Sequence, residues 1–450
     1  MKITKKILII LAIVSTIFSG LIYTNPVHAA NTKQSSTTKT NLTLASEGAV
    51  LIDSSTGKVL YGKNENGKLY PASTTKIITA ILAIEHCKPT DKLTASYDAV
   101  MSIPSGYSNA AIQPGETLEF QDLLDMFLIH SANEIGNIFA EHVSGSIENF
   151  AKLMNQKAAE LGCKNTHFTN PSGIHDENHY STAYDMALIA RYCMKNQTFR
   201  NTVAKTSCTV EATDKYEERY FKNTNDLLNQ KSNYYYEYAI GTKTGYTSQA
   251  KRCLIATSLK DNLELITVTL GAQSTTPDTR YQDTINLFNY GYENYKIAKI
   301  ATKNSVIEDL TIENATKDTK NLSLLLKNDV TGLVPSNANL VNLDYNVKLN
   351  DLIAAPIQEG DVLGKITYDF GDFEYSADLV AAHSVEEYDP ITMLWQIALA
   401  LFILFILAKL VLPKKKSKKK KVKNKNSKSK KSGMKKHKNY KKSSDSIYKF

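Results

Sequence analysis

Cysteine is scarce in this chain, and its placing excludes more than it offers. Cys87, Cys163, Cys193, Cys208 and Cys253 are scattered, odd in number and never spaced C-x-x-C. That excludes a disulfide framework and a structural zinc site. The thiols read as small buried apolar groups, with a single disulfide left open. Neither H-E-x-x-H nor G-x-S-x-G occurs, so a zinc-peptidase helix and a nucleophile elbow are missing too. No repeat at the periods of solenoids or propellers is present.

Acidic residues all but vanish at one end. After Pro413 the tail holds 18 lysines and one aspartate, with no glutamate and no arginine. The formal charge of +9 is therefore local to the tail, and the body between the two ends is net acidic. A lysine run of this kind is attracted to anionic lipid headgroups. Without arginine, and with few aromatics, it offers neither base readout nor a stacking platform, so no nucleic-acid partner is expected.

The chain ends predict export and anchoring. Lys2, Lys5 and Lys6 precede an apolar run, Ile7 to Tyr23, and Val27-His28-Ala29 closes on a small residue. Residues 1–29 read as a signal peptide, with an uncleaved signal anchor as the alternative. Residues 391–412 carry enough apolar side chains to span a bilayer, with Trp395 near one end and Lys409 near the other. The expected arrangement is a body outside the cell, a helix in the cytoplasmic membrane and a cytoplasmic tail at 413–450.

Between the ends, residues 30–45 are a polar linker and 46–295 mix strand and helix signals. "AVLIDSSTGKVLYGKN" reads as two strands, and "TTKIITAILAIEH" as a buried helix. A helical stretch is interrupted at Ser131–Asn133. "IENFAKLMNQKAAELG" is a helix closing on Gly162, and "STAYDMALIARYCMKN" one capped by Ser181 or Thr182. Three strand-like runs and a last helix follow. This predicts an α+β domain whose antiparallel sheet is built from both ends of the segment, with helices packed on it. Residues 296–386 alternate apolar and polar in short runs and read as a small all-β domain, a spacer with no catalytic grouping.

Three short motifs carry chemistry. Ser73 and Lys76 stand about one helical turn apart, so a hydroxyl and an amine share a face. That spacing recurs at Ser36/Lys39, Ser55/Lys58 and Ser248/Lys251, so alone it is weak. Ser131-Ala132-Asn133 is the one Ser-x-Asn in the chain, and Lys243-Thr244-Gly245 the one Lys-Thr-Gly. S-x-x-K, S-x-N and K-T-G in this order form the element set of penicillin-binding proteins and serine β-lactamases. With "NPSGIHDENHYSTAYDMALIAR" (170–191) and "NTNDLL" (223–228), residues 44–386 resemble the low-molecular-mass penicillin-binding proteins of the D-alanyl-D-alanine carboxypeptidase family.

The resemblance implies a β-lactamase/transpeptidase-like catalytic domain, a C-terminal β domain and a membrane attachment. A full apolar span with a lysine tail departs from the amphipathic helix usual in the family. The implied substrate is the D-Ala-D-Ala end of the peptidoglycan stem peptide, with β-lactams as covalent inhibitors and no cofactor or metal. A neutral Lys76 would be the general base for the Ser73 nucleophile; free lysine titrates near ~10.4, but a nearby cation and desolvation lower it. Ser131 would relay a proton to the leaving amine, and Asn133 would orient Lys76 or the substrate. Lys243 and Thr244 would bind the terminal carboxylate. Gly245 would let substrate approach, and the N–H groups of Ser73 and Tyr246 would form the oxyanion hole. Arg280 would add charge to the carboxylate site or form a surface ion pair; His130 and His179 read as structural. The competing readings are a serine β-lactamase, with Glu211, Glu217 or Glu218 as deacylating base, a transpeptidase using the same acyl-enzyme, and a non-catalytic wall-binding scaffold.

Overall fold

A computed structural model of the chain describes residues 42–273, 276–341 and 343–411. The signal segment, most of the linker and the lysine tail lie outside them. The described residues up to Glu386 form one compact unit, and those from Glu387 to Val411 a second.

The N-terminal half of the first unit is organised by an antiparallel sheet. β1 (Gly48–Asp53) and β2 (Val59–Lys63) form the expected hairpin. β3 (Lys92–Thr94) and β4 (Thr117–Glu119) make a small ladder, and β5 (Ser207–Val210) and β6 (Arg219–Lys222) another. β7 (Ala239–Thr247), β8 (Lys251–Lys260) and β9 (Leu263–Ala272) complete the main sheet in the order β2-β1-β9-β8-β7. Both ends of the segment thus build one sheet, as the sequence predicts.

Both faces of that sheet are covered, which is why β1 reads as a continuous apolar run rather than an alternating one. Val50 and Ile52 of β1 face the helical layer, with Ile77, Ile81, Phe127 and Phe139. Ala49 and Leu51 face the last helix of this half, Thr279–Asn294, through Leu287 and Phe288. Helix Lys76–His86 runs through the helical layer with eight of its residues buried. Helix Ile147–Glu160 stops at Leu161, followed by Gly162 at φ 86°, as the C-cap reading expects. Of the two candidate caps of helix Ala183–Met194, Thr182 does the capping, accepting from the Asp185 N–H at 3.0 Å.

The β half holds β10 (Tyr295–Ala301), β11 (Val306–Thr311), β12 (Asn321–Leu326), β13 (Val330–Pro335), β14 (Tyr345–Leu349), β15 (Val362–Asp369) and β16 (Glu374–Ala381). Five of these form a sheet in the order β11-β12-β16-β15-β14, and β10 pairs with β13. Alternate leucines of β12 point into its own core. An aromatic seam joins the halves. Tyr61 meets Tyr290 at 5.4 Å between ring centres, Tyr290 meets Tyr295 at 6.4 Å, and Tyr295 meets Phe373 at 5.8 Å. All five cysteines are free thiols, and all but the half-buried Cys163 are buried. In the second unit, Pro390–Val411 is a single helix long and apolar enough to cross a membrane, with the Asp389 carboxylate accepting from the Ile391 N–H at its start.

Candidate active site

The Ser73–Lys76 spacing becomes a contact because the chain turns just before helix Lys76–His86. Ala72–Thr75 form a short 3₁₀ turn that runs into the helix. Lys76 is fully buried, and its Nζ lies 3.0 Å from Ser73 Oγ. It also donates to Asn133 Oδ1 at 2.8 Å and to the Ser172 backbone oxygen at 2.7 Å.

The second element is set by an irregular helix. Met126–His130 form a π-helical turn, and Ser131 then takes the left-handed conformation at φ 73°. This is the interruption expected at Ser131–Asn133. A non-glycine residue in that region is strained, a frequent property of functional positions. Asn133 is fixed from behind: its Nδ2 donates to the Ser108 oxygen at 2.7 Å, and its own N–H to the same oxygen at 2.9 Å. Because Nδ2 is occupied there, Oδ1 must face Lys76. Ser131 is 8% exposed, and among the described residues its hydroxyl makes no hydrogen bond.

The third element lies on β7, which has a strand neighbour on one side only. Lys243 and Gly245 are two apart and so share a face. That face carries the Ser73 turn: a β-carbon at Gly245 would sit 3.1 Å from the backbone nitrogens of Ser73 and Thr74. Lys243 is 1% exposed and its Nζ donates to the Thr244 oxygen at 3.1 Å. Thr244 shares a 2.6 Å hydroxyl–hydroxyl bond with Thr224, from the "NTNDLL" segment. Tyr246 is 57% exposed, its ring at the open surface.

Electrostatics follow from burial. Desolvation holds the Lys76 ammonium well below its usual range, and the neighbouring Lys243 charge lowers it further, against a weaker opposite pull from Glu134. Burial, then the Arg280 charge, bring Lys243 down to about 7. Arg280 is mostly buried and ion-paired with Asp278 at 3.1 Å, so it is both an ion-pair partner and a charge felt at Lys243. A neutral amine at Lys76 has two N–H groups and one lone pair. Asn133 Oδ1 and the Ser172 oxygen can only accept, so they take both N–H groups and leave the lone pair for the Ser73 hydroxyl. Among the described residues no group of three or more His, Cys, Asp or Glu side chains could hold a metal.

Sequence reasoning missed two backbone carbonyls and one buried carboxyl of this site. The Ser172 and Ser108 carbonyls are backbone groups, which no side-chain motif announces. Glu134, next to Asn133, is 1% exposed; one of its oxygens accepts from Ala110 N–H at 2.6 Å, and burial raises its carboxyl above the usual range. His179 supports the site directly. Its Nδ1 accepts from Thr169 N–H at 3.1 Å, so Nε2 carries the proton and donates to Thr75 Oγ1 at 2.8 Å, between Ser73 and Lys76. His130 is structural, stacked on Phe221 at 4.2 Å. Glu211, Glu217 and Glu218 are all exposed in the β5–β6 connection, the wrong setting for a positioned deacylating base.

A serine in a 3₁₀ turn against a buried lysine at the start of a helix, beside a lysine-bearing strand of an antiparallel sheet, defines a serine hydrolase of the transpeptidase-like fold. The D-alanyl-D-alanine carboxypeptidase family matches residues 33–274, and the C-terminal domain of penicillin-binding protein 5 matches residues 295–387. The D-alanyl-D-alanine carboxypeptidase DacF of Bacillus subtilis strain 168 is 34% identical over 360 residues, covering 79% of this chain and 89% of that protein. DacC of Escherichia coli K12 is 29% identical and covers 78% and 87%. In structure, penicillin-binding protein 5 of Haemophilus influenzae matches with a TM-score of 0.61 at 26% identity, over 77% of this chain and 99% of that one. The Streptomyces K15 DD-transpeptidase matches with 0.52 at 29% identity, over 56% and 99%. This chain belongs to the D-alanyl-D-alanine carboxypeptidase family of serine hydrolases.

Proposed function

We propose that this carboxypeptidase removes the terminal D-alanine of the peptidoglycan stem peptide through an acyl-Ser73 intermediate. The observation that carries the reading is the set of three contacts at Lys76 Nζ, which leaves its lone pair to Ser73. Lys76 takes the Ser73 proton, and Ser73 Oγ attacks the carbonyl of the penultimate D-Ala. The free Ser131 hydroxyl passes a proton to the departing D-Ala nitrogen. Asn133 holds Lys76 in place. Lys243 and Thr244 receive the terminal carboxylate, Gly245 keeps the strand face open, and the N–H groups of Ser73 and Tyr246 polarise the carbonyl. Water then releases the shortened peptide. A β-lactam follows the first half of this path and stays on Ser73.

Burial beside a second lysine supports this role for Lys76, since only an uncharged amine can accept the proton. The apolar helix Pro390–Val411 supports attachment to the cytoplasmic membrane with the catalytic half outside. The signal segment 1–29 and the lysine tail fit that orientation. The test is mass spectrometry of the full chain in detergent after brief exposure to benzylpenicillin. A long-lived adduct on Ser73, lost in Ser73→Ala, is expected. Rapid drug turnover without a trapped adduct would point to a β-lactamase, and neither adduct nor turnover to a scaffold.

A further inference from the structure

We propose that Asn170 is a positioning residue for acylation: its carboxamide shapes the 170–174 turn so that the Ser172 carbonyl engages Lys76 Nζ. The inference rests on the reading of Lys76 as the base of Ser73. Asn170 Oδ1 accepts from three consecutive backbone N–H groups, those of Ser172, Gly173 and Ile174, at 3.2, 2.8 and 3.1 Å. Its Nδ2 donates to the Ile174 oxygen at 2.8 Å and to Thr169 Oγ1 at 3.2 Å, and lies 3.4 Å from His179 Nδ1. One side chain, used at both ends, thus fixes the turn from which the Ser172 oxygen reaches Lys76.

The turn is seated against the rest of the site as well. Ser172 Oγ donates to the Asn133 oxygen at 2.8 Å. Gly173 packs on the carbonyl of Ala72, the residue before Ser73. The turn therefore reaches two of the three catalytic segments, Ser73–Lys76 and Ser131–Asn133, without supplying a side chain to the reaction. Its chemical contribution is polarity. Without the Ser172 acceptor, the amine of Lys76 is free to rotate and can point an N–H at Ser73 Oγ, which opposes deprotonation. With it, the lone pair has one remaining direction.

Benzylpenicillin acylation of the full chain in detergent tests this. Ser73 Oγ bonds to the lactam carbonyl carbon, the lactam C–N bond breaks, and the ring nitrogen takes up a proton. Rates are taken per active site by end-point titration, so misfolded molecules do not count. Asn170→Ala should slow acylation by on the order of 10–100-fold, the scale of a small misplacement of a reacting group. Asn170→Asp keeps the acceptor for the three N–H groups. It should retain most of the rate but move the acid limb of the pH profile upward, because an added carboxylate favours the charged form of Lys76. Wild-type rate and pH profile in Asn170→Ala would overturn the proposal and leave Asn170 a turn former. If Asn170→Ala does not fold, an unshifted acid limb in Asn170→Asp overturns it instead. A wild-type chain that forms no Ser73 adduct defeats the underlying reading, a separable outcome.

Discussion

Gly173 sits so close to Ala72 that a β-carbon on it would lie 1.9 Å from the Ala72 carbonyl oxygen. Its φ of 76° is a further obstacle to any side chain. The obstructing atom is backbone, next to Ser73, and cannot swing aside. Gly173→Ala should cost about 2–5 kcal/mol, the range for backbone clash and strain in a packed site. Urea unfolding together with penicillin labelling reads it: both stability and labelling should fall. A variant with native stability would mean that the turn moves freely.

Ser131 makes the opposite case. Its hydroxyl has no hydrogen-bond partner among the described residues, and its φ of 73° suits glycine. Ser131→Gly should therefore leave the melting temperature nearly unchanged while D-Ala release falls by about 10²–10⁴-fold, the usual yield of a positioned proton-transfer group. Full activity in the variant would remove Ser131 from the proton path.

On the proposed mechanism Lys76 must be neutral to accept a proton, and Lys243 must be charged to hold a carboxylate. The first is held well below the usual lysine range and the second is brought to about 7. kcat/KM for D-Ala release should rise as Lys76 loses its proton and decline above pH about 7 as Lys243 loses its own. Lys243→Arg stays charged, so its descending limb should move to higher pH. An unmoved limb would mean that Lys243 does not set it.

His179 makes stability depend on pH. Burial lowers its imidazole from 6.5 to about 3. As pH falls below about 6.5 the unfolded chain binds a proton that the fold refuses, so stability declines until about pH 3, by up to about 1.4 kcal/mol per pH unit. Above that window the group contributes no pH dependence. His179→Gln should flatten acid unfolding there; an unchanged slope would assign it to other groups.

What the sequence made legible follows its physical grain. The three motifs could be read because each needs particular side chains at short spacing. Strands β1, β8 and β9 and the main helices could be read because their apolar runs are long, and β7 because it leads into them. The β5–β6 ladder was not, since four-residue strands such as Ser207–Val210 carry little pattern. Nor were the Ser172 and Ser108 carbonyls, which every residue possesses and only tertiary structure aims. Asn170 lay inside a quoted segment, but nothing local reveals that its carboxamide gathers three amides.

The aromatic seam of Tyr61, Tyr290, Tyr295 and Phe373 has a mechanical corollary. Helix Thr279–Asn294 passes directly into β10 at Tyr295, with no linker between the halves. Leu333 and Phe373 of the β half share a core with Leu51 and Phe288 of the catalytic half. Calorimetry should therefore record one melting transition for the two together. The β half is thus an extension of the catalytic half's own core, and loosening either side of the seam should lower the melting temperature of both.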